Sequence, residues 1–176
     1  MQRHFDNELE GLKTSLIKMG SIAEESVHLS IKALLDKDPS IIQQVYENEK
    51  RINSLEIEID NTIVDILALQ QPVAIDLRLI LAAQKINNDL ERIGDHAINI
   101  AESVIVILKN GEKLELISIP SMAELAEEML RNSLDSFIHN DPRLGMEVLE
   151  NDDKIDELNR NILNESQICQ QILQKR

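Results

Sequence analysis

The sequence repeats itself at an interval of 103 residues, and this repeat restricts the possible fold more than any other feature. Sliding the chain by that interval aligns Met19–Val73 with Met122–Arg176 without a gap, and about 15 of the 55 aligned positions are identical. Each copy contains an Asp-Pro step, at Asp38-Pro39 and at Asp141-Pro142. A repeat of this length indicates two copies of one supersecondary unit.

The apolar spacing within each copy is helical. Two sets of apolar residues spaced seven apart occupy equivalent positions in the two copies: Val45, Ile52, Ile59 and Ile66, and Val148, Ile155, Ile162 and Cys169. The pattern predicts helices over about 5–35, 39–69 and 73–108 in the first copy, and helices that begin at Ser121 and Pro142 in the second. Each Asp-Pro step is typical of an N-cap followed by proline. Ser121 and Glu124 have the spacing of a capping box.

Composition favours the same all-α fold class. Aromatic residues are 2% of the chain, and it has 5 glycines and 4 prolines, whereas an all-β sandwich or barrel normally uses more of each. We therefore expect two tandem three-helix bundles, over 1–111 and 121–176, joined by a linker at 112–120. The equivalent of helix three would fall at about 177–214, so the second unit is predicted to lack its third helix.

Charge and cysteine content exclude several function classes. With 18 basic and 32 acidic residues the net charge is −14, which disfavours free nucleic acid and anionic membrane surfaces as partners. Cys169 is the single cysteine, so neither an intrachain disulfide nor a cysteine-based zinc site can form. The sequence has no apolar run of the roughly 20 residues that a membrane span needs. We expect a cytoplasmic protein without membrane insertion, and no nucleophilic motif indicates an enzyme.

Acidic and amide residues form helical stripes in both copies. The stripe on helix three consists of Asn88, Glu91, Asp95, Asn99 and Glu102. Helix two carries a second stripe of Glu49, Asn53 and Glu56. In the second copy, Asp152 and Asp156 take the places of Glu49 and Asn53. Carboxylates on facing helices can converge on a hard cation such as magnesium, manganese or iron(III). A solvated acidic face is the alternative, and it stays open at this point.

Four segments resemble the PhoU family: His4–Leu12, Met19-Gly20, Gln71–Ile80 and Asp89–Glu102. The resemblance runs through the whole chain and implies tandem three-helix bundles in a cytoplasmic, non-enzymatic homodimer. It further implies a negative regulator that represses phosphate uptake and the phosphate-starvation response. Such a regulator would bind the ATPase of the Pst phosphate transporter and the PhoR sensor kinase.

Some PhoU-like proteins bind clusters of iron or other cations through Glu/Asp-Lys-x-x-Asp and Glu-x-x-x-Asp motifs. The matching segments here are Glu49–Asn53, Glu91–Asp95 and Asp152–Asp156, but Asn53 replaces the motif's Asp and Asp153 replaces its Lys. The resemblance thus implies a weakened first site and an incomplete second one, for iron, manganese, magnesium or zinc. The candidate ligands are Glu49, Asn53, Glu91, Asp95, Asn99, Asp152 and Asp156. A carboxylate-bridged metal-binding or metal-storage bundle is the alternative function, although no Glu-x-x-His pair accompanies the stripe.

The second unit carries apolar stripes that fit a third helix. They comprise Leu125, Met129, Leu130 and Phe137 on helix four, and Val148, Ile155, Ile162 and Cys169 on helix five. Because exposing that many large side chains to water is costly, we expect them to be covered. The cover is predicted to come from a second chain that shares or exchanges helices. The alternative is that helices four and five fold back onto the first bundle.

Overall fold

The computed structural model describes residues 2–110 and 117–174, and side-chain surroundings over 5–110 and 117–163. It consists of helices α1 (Gln2–Asp36), α2 (Ile42–Gln70), α3 (Ala74–Asn110), α4 (Ser118–His139) and α5 (Pro142–Gln174), with a short 3-10 helix at Pro39–Ile41 before α2. Over the described ranges the secondary structure is helical and contains no strand. The predicted all-α class is confirmed.

The two Asp-Pro steps begin helices in the predicted way. The carboxylate of Asp38 accepts a hydrogen bond from the backbone N–H of Ser40 at 2.9 Å. In the second copy, the Asp141 carboxylate accepts one from the N–H of Arg143 at 3.0 Å. Each bond satisfies a backbone donor that the first helical turn leaves unpaired.

The start of α4 differs from the prediction. The helix begins at Ser118, three residues before the predicted N-cap Ser121, and Ile117 precedes it without a side-chain capping bond. Pro120 therefore lies inside the first turn, which tolerates proline because the first N–H groups of a helix have no intrahelical acceptor. The capping-box prediction was wrong, and the predicted linker loses its last three residues to α4. Residues 111–116 lie outside the described part of the chain.

The first unit is a closed bundle, because α1, α2 and α3 all pack against one another. Its core is built from the predicted stripes of α1 and α2, and Val45, Ile52, Ile59 and Ile66 are all buried. On α3 the apolar residues divide between two faces. Leu90, Ala97 and Val104 are buried in the bundle, whereas Ile86, Ile93 and Ile100 are partly exposed on a neighbouring face.

The second unit is a hairpin of α4 and α5 that lies on the first. Helix α4 packs against α5 and α1, and α5 contacts α4 alone among the described helices. The close approach of α4 to α1 occurs at Gly20, where a Cβ would overlap the Leu134 side chain. Leu130, Leu134 and Phe137 pack against the core of the first bundle. Part of helix four thus folds back onto the first bundle, the alternative that the sequence left open.

An apolar channel remains between α3, α4 and α5, with α1 contributing to its wall, and we call it the α3–α5 groove. It contains two cavities of about 410 and 620 Å³, and Val148, Ile155 and Ile162 line them from the α5 side. None of the described residues of α4 or α5 is fully buried. Three of the four residues of the α5 stripe that the sequence predicted to fit a third helix thus line this groove, while the fourth, Cys169, lies outside the described side chains.

Within residues 2–110 and 117–174, no helix combines the length and the apolar character that a membrane span requires.

Candidate functional site

The candidate site lies where α2 and α3 approach closely. A Cβ on Gly94 would lie 2.9 Å from Cδ1 and 3.4 Å from Cγ2 of Ile52, so the glycine permits the short separation of the two helices. This contact explains a mid-helix glycine that would otherwise cost about 1 kcal/mol relative to alanine. It also brings the polar edges of α2 and α3 side by side.

Four carboxylates and one amide form these edges; we call Glu49, Asn53, Glu56, Glu91 and Asp95 the acidic face. Burial raises the pKa of Glu91 most, and the negative charges of Asp95 and Glu56 raise it further. Arg92 lowers it, and Glu49 adds the smallest rise. The charges that act on Glu91 belong to residues of both α2 and α3, so carboxylates of the two helices lie close together.

Asn53 changes the chemistry of this face. Its Nδ2 donates a hydrogen bond to Oε1 of Glu49 at 2.7 Å, one turn away on α2. The amide therefore orients the Glu49 carboxylate and avoids the extra like-charge repulsion that a carboxylate at this position would add. The same hydrogen bond also occupies Oε1 of Glu49, an oxygen that a bound cation would need.

Two buried asparagines support the acidic face from within the first bundle, and the sequence prediction missed them. Asn87 is fully buried, and its Nδ2 donates to Oδ1 of Asp60 at 2.7 Å and to the backbone carbonyl of Glu56 at 3.1 Å. Gln84 donates to the same Asp60 oxygen at 2.7 Å. These bonds fix α2 against α3 one turn away from Glu91. The Oδ1 atom of Asn87 is buried without a hydrogen-bond partner.

Asn48 is the second buried asparagine, with 0% of its surface exposed. Its Nδ2 donates to Oε2 of Glu25 on α1 at 3.0 Å, and its Oδ1 accepts from Nη1 of Arg51 at 3.0 Å. A buried amide whose partners come from two helices favours one relative arrangement of them. The sequence feature that could have identified Asn48 is its position inside the apolar stripe, three residues after Val45 and four before Ile52.

The structure divides the seven predicted ligands among three places. Glu49, Asn53, Glu91 and Asp95 lie together on the acidic face. Asn99 lines the α3–α5 groove instead. Asp152 and Asp156 are exposed on α5, which makes no described contact with α2 or α3.

The donor set of the acidic face consists of oxygen atoms, which suit a hard cation. The side chains that carry these oxygens, however, do not converge on one point. Among the described residues, no group of three or more His, Cys, Asp or Glu side chains is placed to hold a metal ion. The face is therefore a strongly negative surface whose oxygens fit a hard cation in kind, without an assembled ligand cage.

Comparison with known proteins identifies the family. A PhoU domain model matches residues 16–104 and 119–175, one match on each unit of the repeat. The chain belongs to the PhoU family. The family assignment accounts for the resemblance noted in the sequence and for the tandem arrangement of the two units.

Similar PhoU proteins come from several bacteria. A phosphate-specific transport system accessory protein PhoU homolog from Aquifex aeolicus is 37% identical over 151 residues, which span 86% of this chain and 68% of that protein. The PhoU accessory protein from Escherichia coli is 32% identical over 153 residues, 87% of this chain and 64% of that protein. The chain thus spans about two thirds of the length of these relatives.

Solved PhoU structures share the fold. The crystal structure of PhoU from Pseudomonas aeruginosa superimposes with a TM-score of 0.87 at 36% identity, over 92% of this chain and 78% of that one. PhoU from Streptococcus pneumoniae, described as a phosphate transport system regulatory protein, gives a TM-score of 0.82 at 28% identity, over 90% and 74% of the two chains.

Proposed function

We propose that this PhoU family member is a non-enzymatic negative regulator of phosphate uptake and of the phosphate-starvation response. It would act in the cytoplasm as a homodimer that binds the ATPase of the Pst phosphate transporter and the PhoR sensor kinase. The observation that carries the proposal is the PhoU match on both units, together with relatives named as accessory proteins of the phosphate-specific transport system.

The surface of the molecule supports binding rather than catalysis. The net charge of −14 and the acidic face favour a partner with a basic surface. Such contacts between exposed charges weaken as salt screens them. We expect binding of the purified chain to the transporter ATPase or the kinase to fall with increasing ionic strength, and to weaken when Glu91 and Asp95 are replaced by their amides.

The regulatory proposal is tested by deleting the gene in its source bacterium. Phosphate-starvation genes should then stay active in phosphate-rich medium, and a plasmid copy of the intact chain should restore repression. Ile52→Asp is a matched control, because a carboxylate in the core should unfold the first bundle and leave the genes active. Normal repression in the deletion strain would overturn the regulatory proposal.

We infer metal binding at the acidic face as a second candidate function. The crowding of Glu49, Glu56, Glu91 and Asp95 favours it, because after burial the charges of Asp95, Glu56 and Glu49 raise the pKa of Glu91 further. A bound divalent cation would neutralise the repulsion among these groups. The residues that would hold it are Glu49, Glu91 and Asp95, with Asn53 as a neutral oxygen donor.

Calorimetric titration of the chelator-treated chain with Mn²⁺ and Fe²⁺ tests this candidate. We expect Asn53→Asp to raise the affinity and Glu91→Gln to lower it, while Asp65→Asn, an exposed change elsewhere on α2, leaves it unaltered. If no metal binds and Asp95→Ala is more stable than the parent, the acidic face is a solvated surface.

A further inference from the structure

A hydrogen bond between α2 and α3 marks the seam where the outer surfaces of the two helices meet. Nε2 of Gln84 donates to Oδ1 of Asp60 at 2.7 Å. At 100° per residue, two exposed apolar residues of α2 lie within about 60° of Asp60 around the helix, and two of α3 lie within about 60° of Gln84. These residues are Ile57, Val64, Leu77 and Leu81, with 61%, 62%, 37% and 50% of their surfaces exposed. We call them the apolar face.

The apolar face is separate from the α3–α5 groove. Ile86 of α3 lines that groove, and Leu77 and Leu81 lie about 180° and about 140° from it around the helix. Ile57 and Val64 belong to α2, which lines neither cavity of the groove. A helix seated in the groove would therefore leave the apolar face exposed.

The acidic face continues the apolar face along the same two helices. Helices α2 and α3 run antiparallel, since Asp60 contacts Gln84 whereas Ile52, nearer the start of α2, packs against Gly94, nearer the end of α3. The carboxylates of the acidic face lie in that direction from the Asp60–Gln84 bond, and the apolar face, apart from Ile57, lies in the other. The outer α2–α3 surface is thus apolar toward the turn between the helices and negatively charged toward the opposite end.

The combined surface has the length and spacing of a short helix. Val64 and Glu49, near its two ends on α2, are separated by about 22 Å along the helix axis, which about 15 residues of a bound helix would span. Ile57 and Val64 are two turns apart, and Leu77 and Leu81 are one turn apart. An amphipathic helix presents its own apolar residues at these intervals, so a helix laid along the seam can contact both rows.

Charge determines the chemistry of the occupant. The four carboxylates of the acidic face attract Lys or Arg side chains, and a basic side chain there would relieve the crowding that acts on Glu91. A second copy of this chain is disfavoured, because two chains with a net charge of −14 repel one another. An anionic membrane surface is disfavoured for the same reason.

We propose that the apolar face and the acidic face together bind an amphipathic helix of a protein partner, whose apolar residues contact the apolar face and whose Lys or Arg side chains, toward one end, contact the acidic face. The inference rests on the partner binding included in the proposed function and specifies its surface and the kind of segment that it recognises. The apolar contacts supply affinity that salt does not screen, and the charged contacts supply the part that salt weakens.

Binding of the purified chain to the transporter ATPase and to the detergent-solubilised kinase, both from the same bacterium, tests the surface. Leu81→Gln should raise the dissociation constant for the partner that supplies the helix by about fivefold or more, because it removes apolar area that the helix would bury. Leu149→Gln is the matched control, since Leu149 is exposed on α5, which packs against neither α2 nor α3. It makes the same chemical change and should alter the constant by less than about twofold.

Salt separates the two ends of the surface. Replacing Glu91 and Asp95 by their amides should flatten the fall of affinity with ionic strength, whereas Leu81→Gln should leave that fall unchanged because it alters no charge. A circular-dichroism melt of each variant checks that these surface changes leave the fold intact.

Overlapping peptides of about 18 residues that cover the bound partner identify the segment, since this length exceeds the span of the surface. The peptide that binds should become helical on binding, as followed by circular dichroism. It should carry apolar residues at helical spacing and Lys or Arg toward one end.

The outcomes separate the surface from the function. Partner binding that Leu81→Gln and Leu149→Gln weaken alike, or that neither weakens, overturns the inference and leaves the proposed function standing, and so does a peptide that binds in an extended form. If Leu81→Gln instead weakens self-association in sedimentation equilibrium, the occupant is a second copy and the inference is overturned. If neither partner binds the parent chain, the inference and the proposed partner binding both fail, while the deletion experiment still decides repression.

Discussion

Ile52 of α2 and Ile155 of α5 occupy equivalent positions of the internal repeat, yet their surroundings differ. Ile52 is completely buried among three helices, whereas Ile155 is partly exposed on the wall of the α3–α5 groove. The same holds for Val45 and Val148, which are again buried and half-buried. The comparison shows that burial of an apolar stripe depends on how many helices surround it, because the residue types in the two copies are nearly the same.

Equivalent polar residues of the repeat also differ in burial between the two units. In the first unit, Asn48 is fully buried and is bonded to Glu25 of α1. Its repeat equivalent Asn151 is only partly buried, and its Oδ1 accepts from Nζ of Lys154 at 2.8 Å within α5. A closed bundle thus turns a helix-surface amide into a link between helices, and the open hairpin does not.

The largest expected difference between the units concerns their cores. Ile52→Ala should lower the free energy of unfolding by about 2–5 kcal/mol, since it leaves a cavity that close-packed neighbours cannot fill. Ile155→Ala should cost less than about 1.5 kcal/mol, because water already reaches that side chain. Urea unfolding followed by circular dichroism measures both. Equal losses at the two positions would show that the second unit is as tightly packed as the first.

A smaller difference is expected at the glycines that lie in helix contacts. Gly94→Ala should destabilise the protein by about 1 kcal/mol, because the new methyl group presses on the fixed Ile52 side chain and outweighs the gain in helix propensity. Gly145→Ala places its methyl 3.1 Å from the Ser136 hydroxyl, which must shift by only a few tenths of an ångström while it keeps its hydrogen bond to the Asp141 carbonyl. It should be neutral or slightly stabilising. Thermal melts of the two variants provide the check, and a stabilised G94A protein would contradict close packing of α2 on α3.

The smallest effect concerns the acidic face. Because the pKa of Glu91 is raised in the folded state, its carboxylate destabilises the fold once it ionises. The stability that the protonated Glu91 side chain provides is therefore fully present below the ordinary carboxyl pKa, and it is lost as the pH rises through the raised pKa. Glu91→Gln should stabilise the protein by a few tenths of a kcal/mol at pH 7 and by almost nothing well below the ordinary pKa.

Unfolding curves at pH 7 and at pH 3.5, with Glu157→Gln on α5 as the control, test this prediction. A gain that is the same at both pH values would mean that Glu91 acts through packing rather than through its charge.

Much of the fold could be predicted from the sequence, because its signals are local. The seven-residue spacing of Val45, Ile52 and Ile59 specifies a buried helix face, and each of the two Asp-Pro steps marks a helix start. The start of α4 was harder to predict. Ser121 and Glu124 match a capping box, but Pro120 is equally compatible with the first turn of a helix that begins earlier, and local sequence does not choose between them.

The candidate site was predictable only in part, since it depends on contacts between helices. The spacing of Glu91 and Asp95 placed them on one stripe, and Gly94 indicated a close approach, both of which the structure confirms. Spacing within α5 could not show that Asp152 and Asp156 would face away from the first unit. That outcome depends on which side of α4 the hairpin presents to α1, where Leu134 packs closely against Gly20.

Residue-resolved hydrogen exchange of the dilute chain tests the contrast between the two units most directly. The account predicts that the amide protons of Ile52 and Ile59 exchange only through global unfolding. Those of Ile155 and Ile162 should exchange at least about 100-fold faster, through local opening of the α4–α5 hairpin. Equal protection of the two pairs would contradict it, because the second unit would then be as completely packed as the first without any added helix.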